Sequence, residues 1–246
     1  MPSFSILSRL LLGFVLLLCH AAASAQQVAW LWDEAQLPAW SAQEAAILQR
    51  HILLTGDTSL SRPRMRWPAI AATTLVTPVL HVEVSIVNPP VNLENSRAMI
   101  IGALLDAAAA STSGWVQLDM EAKPSQRIFY RSLVRQARSA LPSHIRLSVT
   151  ALAWWCRSTA WLDDLAADEV VPMFFRMGRD GGTMRTLLEQ SPSTLHARCR
   201  AGSVGFSPQE AFAPEVAARY RKIYWFDLHA WKRAQPDLPP FSRTTP

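Results

Sequence analysis

The chain has 246 residues, 24 of them lysine or arginine against 19 aspartate or glutamate, which gives a formal net charge of +5. This length can bury one sizeable core, so a single domain is expected. The arginines are dispersed and form no basic helix or binding motif, which argues against a nucleic-acid partner. They indicate either an ordinary solvated surface or affinity for an acidic glycan or membrane surface.

The first segment predicts export. Arg9 precedes an almost wholly apolar run over 10–19, and small residues follow over 21–25. This is the pattern of a Sec-type signal peptide over 1–25, with cleavage after Ala25. The apolar run is short for a membrane span, so we expect a periplasmic or secreted protein with no stable span after cleavage. Lipidation of Cys19 is the less favoured alternative, because leucines precede it where small residues are needed.

Two cysteines, Cys156 and Cys199, remain after cleavage. In an oxidising compartment an even count favours a disulfide. A bridge that closes so long a loop contributes about 4 kcal/mol on the chain-entropy model. Two buried thiols are the alternative. Neither cysteine has a second cysteine or a histidine at zinc-ligand spacing, so no metal site is expected.

Short apolar runs recur along the rest of the chain, with helical segments or loops between them. The eight runs predicted as strands are Val28–Asp33, His51–Asp57, Leu80–Ile86, Trp115–Glu121, Ile145–Leu152, Val170–Met177, Ser203–Ser207 and Ile223–Asp227. Such alternation is typical of a parallel sheet, and eight units fit a compact (β/α)8 barrel. We therefore predict an α/β protein with one TIM-type barrel domain over 26–234 and a proline-rich tail over 235–246. A doubly wound open sheet is the alternative.

Three segments carry the clearest helix signals. Asn92–Ala110 is rich in alanine, isoleucine and leucine, and Pro124–Leu141 places apolar residues on one face. Ser207–Glu210 offers a cap, a proline at the first helical position and a glutamate three residues after the cap. The stretch Thr58–Pro78 shows no clear helix, so the barrel is expected to be irregular after its second strand.

Several runs carry polar residues on one face, which is unusual for parallel strands covered on both sides. The residues predicted to share this face are Thr55 and Asp57 on the second run, His81, Glu83 and Ser85 on the third, Gln117, Asp119 and Glu121 on the fourth, Ser148 and Thr150 on the fifth, and Arg176, in register with Phe174, on the sixth. An unpaired buried polar group costs about 1–3 kcal/mol. The lumen is therefore either a structural polar network or the floor of an active site.

Acidic residues at the C-terminal ends of the runs are the candidate chemical groups. Asp119 and Glu121 share one face at the end of the barrel where ligands bind. Paired carboxylates there suggest acid/base catalysis, most commonly sugar hydrolysis. The alternative is that Arg176 or Lys123 satisfies both acids in structural ion pairs. Glu83, at matching depth on the third run, is a second candidate.

Other strand ends offer substrate contacts. Asp33 and Asp227 close the first and last runs, and Asp57 closes the second, although Asp57 equally suits a turn or a cap. The chain has ten tryptophans, and those that end strands are Trp32, Trp154, Trp155 and Trp225. Flat aromatic rings can stack on sugars, while an ordinary core role is the alternative for each. Trp154 is expected at the rim if a disulfide at Cys156 pins its loop.

Several segments resemble the bacterial domain-of-unknown-function family 3142 and together cover most of the chain after the signal peptide. These segments are Thr77–Glu83, Val116–Ala122, Leu147–Cys156, Val171–Gly178 and Cys199–Arg200. The resemblance implies an exported barrel related in form to glycoside hydrolases, and it implies no established reaction. That family commonly shows Asp-Phe-Asp where this chain has Asp119-Met120-Glu121, so the second position keeps an acidic residue with a longer side chain.

The fourth run is also distantly similar to the Asp-x-Asp-x-Glu end of chitinase-type barrels of glycoside hydrolase family eighteen. Gln117 stands where those barrels have the first acid. The similarity implies that Glu121 is the proton donor and Asp119 its orienting partner.

Two hypotheses follow. The first is an exported glycoside-hydrolase-like enzyme acting on a bacterial polysaccharide, with Glu121 as general acid tuned by Asp119. In that enzyme Glu83, Asp33, Asp227, Trp154 and Arg176 would contact substrate. The second is a non-catalytic barrel that binds glycan or envelope components. No phosphate-binding loop, HExxH or Gly-x-Ser-x-Gly motif is present, so no cofactor is expected.

Overall fold

The structure is a computed structural model, and it describes residues 25–32, 37–38, 43–56, 59–64, 67–210 and 212–226. The predicted signal peptide, except Ala25, and the predicted tail lie outside the described residues. So do three acids that the sequence nominated, Asp33, Asp57 and Asp227.

The described part of the chain forms a closed parallel barrel. Its strands are β1 Gln26–Leu31, β2 Glu44–Leu54, β3 Leu60–Pro63, β4 Leu75–Val84, β5 Trp115–Met120, β6 Arg146–Leu152, β7 Glu169–Met173, β8 Gly202–Phe206 and β9 Tyr220–Phe226. Each of the eight strands other than β3 pairs in parallel with two neighbours, and the β1–β2 pairing closes the ring. The predicted TIM-type barrel in a single domain is therefore confirmed.

The barrel departs from regularity after β2, as the sequence indicated. In place of a helix, β3 pairs with β2 in antiparallel orientation outside the ring. The strands β2 and β4 also begin at Glu44 and Leu75, well before the apolar runs that predicted them.

The outer layer consists of helices and short 3-10 turns. The α-helices are α1 Arg97–Ala109, α2 Arg127–Ala140, α3 Thr159–Leu162, α4 Gly181–Gln190, α5 Ala197–Arg200 and α6 Pro214–Ala217. The predictions over Asn92–Ala110 and Pro124–Leu141 are confirmed, each with a 3-10 turn leading into the α-helix. The helix start at Ser207 is wrong, because only a 3-10 turn over Pro208–Glu210 forms. Glu210 instead accepts a hydrogen bond from the backbone N–H of Arg176 at 2.8 Å.

Strand alternation divides the interior into an outer core and a lumen. On β5, Val116, Leu118 and Met120 are buried in the core shared with the helices. The amphipathic α2 contributes Leu133 and Val134 to the same core. A buried leucine is worth about 1.5–3 kcal/mol of transfer free energy. The intervening β5 residues face the lumen, which leaves the polar side chains inside the barrel.

An aromatic plug fills the middle of the lumen. Trp30 contacts Phe175, Tyr224 and Phe226 at ring-centroid distances of 5.5–6.2 Å. Gly205 on β8 makes room for this plug, since a Cβ there would lie 3.2 Å from the Phe175 ring and 3.5 Å from Trp30. The plug separates two polar regions of the lumen, one at each end of the strands.

Cys156 and Cys199 form the predicted disulfide. It ties the 3-10 turn Ala153–Arg157, which follows β6, to α5, which precedes β8. The bridge fixes a loop at the C-terminal end of the barrel and fits an extracellular location. Among the described helices, none has the length and hydropathy needed to cross a bilayer.

Candidate functional site

Asp119, near the end of β5, is the fixed centre of the site. Its carboxylate oxygens lie 2.8 Å from His81 Nδ1 and 2.7 Å from the Thr150 hydroxyl, which donates to it. The side chain is almost fully buried. These partners come from the neighbouring strands β4 and β6, so the barrel itself holds the carboxylate. The alternative in which Arg176 or Lys123 pairs with Asp119 is not the arrangement observed.

Glu121 follows two residues later and is more exposed than Asp119. Together they line one end of a cavity of about 170 Å³. Burial raises the pKa of the Glu121 carboxyl, and the Asp119 charge adds to that effect. Glu83 also raises this pKa, while His81 and Arg176 oppose the increase. No hydrogen bond or close ion pair joins Glu121 to another side chain in the described part of the chain. The geometry therefore presents a carboxyl group that can keep a proton and release it to a ligand.

The cavity walls are largely aromatic. Trp32, Trp154, Phe175 and Phe226 line it at the C-terminal ends of four different strands or the loops that follow them. Trp154 thus lies where the sequence placed it. A concave apolar pocket with a few polar groups at one end is the usual form of a small-ligand site.

Two other tryptophans nominated for sugar contacts belong to the outer core. Trp155 stacks on Trp161 at a centroid distance of 4.1 Å, and Trp155 and Trp225 are both fully buried. For these two residues the alternative, an ordinary core role, is correct.

Arg176 lines the same cavity, but not for the reason that the sequence suggested. Strand alternation grouped it with Phe174, and Phe174 packs in the outer core. The strand β7 ends at Met173, and Arg176 adopts a left-handed backbone conformation with φ of 50°. Its guanidinium lies 5.2 Å from the centre of the Phe226 ring. Residues held in this strained region of backbone space cluster at functional sites.

Glu83 lies beside this centre, next to a histidine that sequence reasoning missed. Its Oε2 is 3.4 Å from His51 Nε2, and the His51 and His81 rings are 5.0 Å apart. The Trp32 ring covers the His81 ring at 4.4 Å. Glu83 was predicted here from its depth on β4. His51 has the same alternation as Thr55 and Asp57 on the predicted second run, and it was overlooked because only the β2–β4 pairing sets it beside His81.

The two histidines have opposite pKa shifts. Burial alone would lower the pKa of His81, but the charge and hydrogen bond of Asp119, with the charges of Glu121 and Glu83, outweigh burial and raise it. Burial and the neighbouring His81 lower the pKa of His51. At neutral pH His51 therefore favours the uncharged imidazole, which can accept a hydrogen bond or bind a cation.

The opposite end of the lumen holds a second set of charged residues. Glu169 on β7 accepts hydrogen bonds from Ser148 at 2.6 Å, from Tyr224 at 2.9 Å and from Ser203. Glu44 on β2 pairs with Lys222. Every one of these acids lies at the N-terminal start of its strand, away from the cavity. This end has the character of a structural network.

No protein-family model and no curated protein sequence matches the chain. The chain is similar to the spore cortex-lytic enzyme SleL of Bacillus cereus, with 17% identity, a TM-score of 0.46, and coverage of 75% of this chain and 50% of that one. It is similar to SleL of Bacillus megaterium QM B1551, with 13% identity, a TM-score of 0.47, and coverage of 85% and 60%. It is also similar to concanavalin B, with 10% identity, a TM-score of 0.44, and coverage of 83% of this chain and 93% of that one. The chain thus spans about half to three-fifths of the SleL chains, and the resemblance to family 3142 stays a prediction.

Proposed function

We propose that this protein is an exported glycoside hydrolase that cleaves a bacterial polysaccharide, with Glu121 as the general acid. The observation that carries the proposal is the contrast within one pair of acids. Asp119 is buried and held by two hydrogen bonds, whereas Glu121 is accessible, carries a raised pKa and lines an aromatic cavity. Two carboxyl groups whose environments differ in this way suit the two roles of glycoside cleavage.

In the proposed reaction Glu121 donates its proton to the glycosidic oxygen as the bond from that oxygen to the anomeric carbon breaks. Positive charge develops on the sugar ring, and the Asp119 carboxylate lies at the same end of the cavity to stabilise it. Water adds to the anomeric carbon and its proton passes to the Glu121 carboxylate, which restores the protonated general acid. His81 and Thr150 position Asp119 through this cycle.

The cavity supplies the sugar contacts of this proposal. Trp32 and Trp154 offer flat apolar faces for stacking, and Arg176 offers a cation for an acidic or hydroxyl substituent. A periplasmic or secreted location follows from the predicted signal peptide, and the disulfide supports it.

The test is a hydrolysis screen of bacterial envelope polysaccharides with the mature protein and the variants Glu121→Gln and Asp119→Asn. Glu215→Gln, an exposed acid on α6, is the matched control. We expect the control to keep full activity and both site variants to keep only a small residual activity. Activity near that of the unmodified protein in both site variants would rule the assignment out. Glycan binding without hydrolysis in the unmodified protein would favour the non-catalytic barrel.

A further inference from the structure

We propose that His51, His81 and Glu83 form a binding site for one divalent transition-metal ion, with Zn²⁺ as the fitting ion. No metal was expected from the sequence, because neither cysteine has a second cysteine or a histidine at zinc-ligand spacing. The three residues come together only through the pairing of β2 with β4. The proposal stands on their geometry and does not rest on the hydrolase assignment.

The donor atoms are spaced for a single ion. One donor atom from each residue lies within 4.8 Å of the other two. His51 Nε2 and Glu83 Oε2 are 3.4 Å apart. Two ligands of a tetrahedral Zn²⁺, bound at about 2.0–2.2 Å, are separated by about 3.3–3.6 Å. One edge of the coordination shell is therefore already at its bound length.

The fold places these donors on rigid elements. His51 is in register with His81 across the β2–β4 pairing, and Glu83 lies two residues beyond His81 on the same face of β4. The bulge in β2 brings His51 to this face. Sites built on paired strands keep their geometry better than sites on loops.

The arrangement around His81 is that of a metal-bound histidine. Its Nδ1 is bonded to Asp119 Oδ2 at 2.8 Å, and Thr150 holds the other oxygen of Asp119. This leaves Nε2 of His81 as the nitrogen available to a metal. A carboxylate on the second ring nitrogen is the common outer-sphere partner of a metal-ligating histidine, because it fixes both the ring and its tautomer.

The environment of His51 is a second, independent observation that favours a bound metal ion. Its Nε2 atom is buried and makes no hydrogen bond among the described residues, although Glu83 is near. Buried polar nitrogens are rarely left without a partner. A metal ion between His51 and Glu83 would satisfy both.

The donor set selects the class of ion. Two imidazoles and one carboxylate favour Zn²⁺ and its late first-row neighbours over Mg²⁺ or Ca²⁺, which prefer oxygen ligands. Three protein ligands leave one position of a tetrahedral ion open. The Glu83 and His51 side chains are 53% and 36% exposed, so that position faces solvent. An open position is typical of Zn²⁺ that binds water or substrate.

The test is titration of the chelator-treated mature protein with ZnCl₂ alone, followed by calorimetry. We expect one ion per chain and a rise in Tm on binding. His51→Ala and Glu83→Gln should each weaken Zn²⁺ affinity by at least tenfold. Neither residue contacts Asp119, so both variants should fold. His144→Ala removes an exposed histidine elsewhere on the surface and should bind as the unmodified protein does.

Cobalt gives a second readout that is independent of activity. Co²⁺ in the site should produce visible absorption bands of a four- or five-coordinate ion, and these bands should be missing in His51→Ala. The proposal is overturned if no ion binds stoichiometrically, or if His51→Ala and Glu83→Gln bind Zn²⁺ as tightly as His144→Ala. Either result would leave the hydrolysis screen unaffected.

Discussion

The two ends of the barrel lumen contain similar residue types in opposite states. At the N-terminal end, Glu169 and Glu44 are each surrounded by donors, including the Lys222 ammonium. At the C-terminal end, Glu121 has no hydrogen-bonding side chain in the described part of the chain, and Glu83 is half exposed. The sequence left open whether the polar lumen is a structural network or an active-site floor. The N-terminal end has the hydrogen bonds of a structural network, and we propose that the C-terminal end is the active-site floor.

The difference shows that lumenal charge alone does not identify a site. A carboxylate whose oxygens are filled by protein donors has little capacity left to bind a ligand directly, so Asp119 can act on a substrate only through its charge. A carboxylate that is accessible and poorly paired contributes little to the stability of the fold, and such residues are concentrated where function requires them. Substitutions at the two ends should therefore act on different quantities, stability at one end and activity at the other.

The largest effect is expected from Glu121→Gln at the open end. Loss of a general acid should lower the hydrolysis rate about 10²- to 10⁴-fold. The stability of the fold should not decrease. A pKa raised in the folded state means that ionisation of Glu121 at neutral pH opposes folding, so Tm should stay the same or rise slightly. A clear fall in Tm with full activity would place Glu121 with the structural acids.

Lys222→Met at the closed end should act on stability. It leaves the buried Glu44 carboxylate without its cation, which costs about 3–5 kcal/mol. Urea denaturation measures this loss, and activity per folded molecule should not change. The double variant Glu44→Gln with Lys222→Met should recover more than half of it, because no lone charge remains. A double variant as unstable as the single one would contradict the pairing argument.

The pH dependence of hydrolysis should report the acid directly. Glu121 must be protonated to act, so the rate should fall about tenfold per pH unit above its raised pKa. Asp119→Asn removes one charge that raises this pKa. In the pH profile of its residual activity, the fall in rate at high pH should therefore begin at a lower pH. A fall in rate that begins at the same pH in both proteins would show that Asp119 does not raise the pKa of Glu121.

The smallest effect is expected from Arg176→Gly. Glycine tolerates the left-handed backbone at this position, so the free energy of unfolding should rise by up to about 1 kcal/mol. Binding of an acidic glycan to the cavity should weaken because the guanidinium is lost. The matched change is Arg179→Gly: Arg179 does not line the cavity, although Asp180 in the same 3-10 turn does, so this change should not weaken binding.

The parts of the molecule that follow regular periodicity could be predicted, and the parts that depend on local irregularities could not. Asp119, Thr150 and Glu83 fell on the lumenal face because their strands alternate regularly. His51 also shares the alternation of Thr55 and Asp57, but its place beside His81 depends on the β2–β4 register, which includes a bulge in β2. Arg176 required a left-handed residue after β7. Neither the register nor the left-handed residue leaves a signal at its own position in the sequence. Nearby, Gly178 at least marks a turn, with a positive φ of 60°.

The most direct test of the central claim is the titration of the Glu121 carboxyl group, followed by NMR on protein labelled with ¹³C-glutamate and assigned with Glu121→Gln. We predict a midpoint above the ordinary range for glutamate, because burial and the Asp119 charge disfavour ionisation. The midpoint should fall in Asp119→Asn. An ordinary midpoint that is the same in both proteins would contradict the account of Glu121 as an acid poised by its partner.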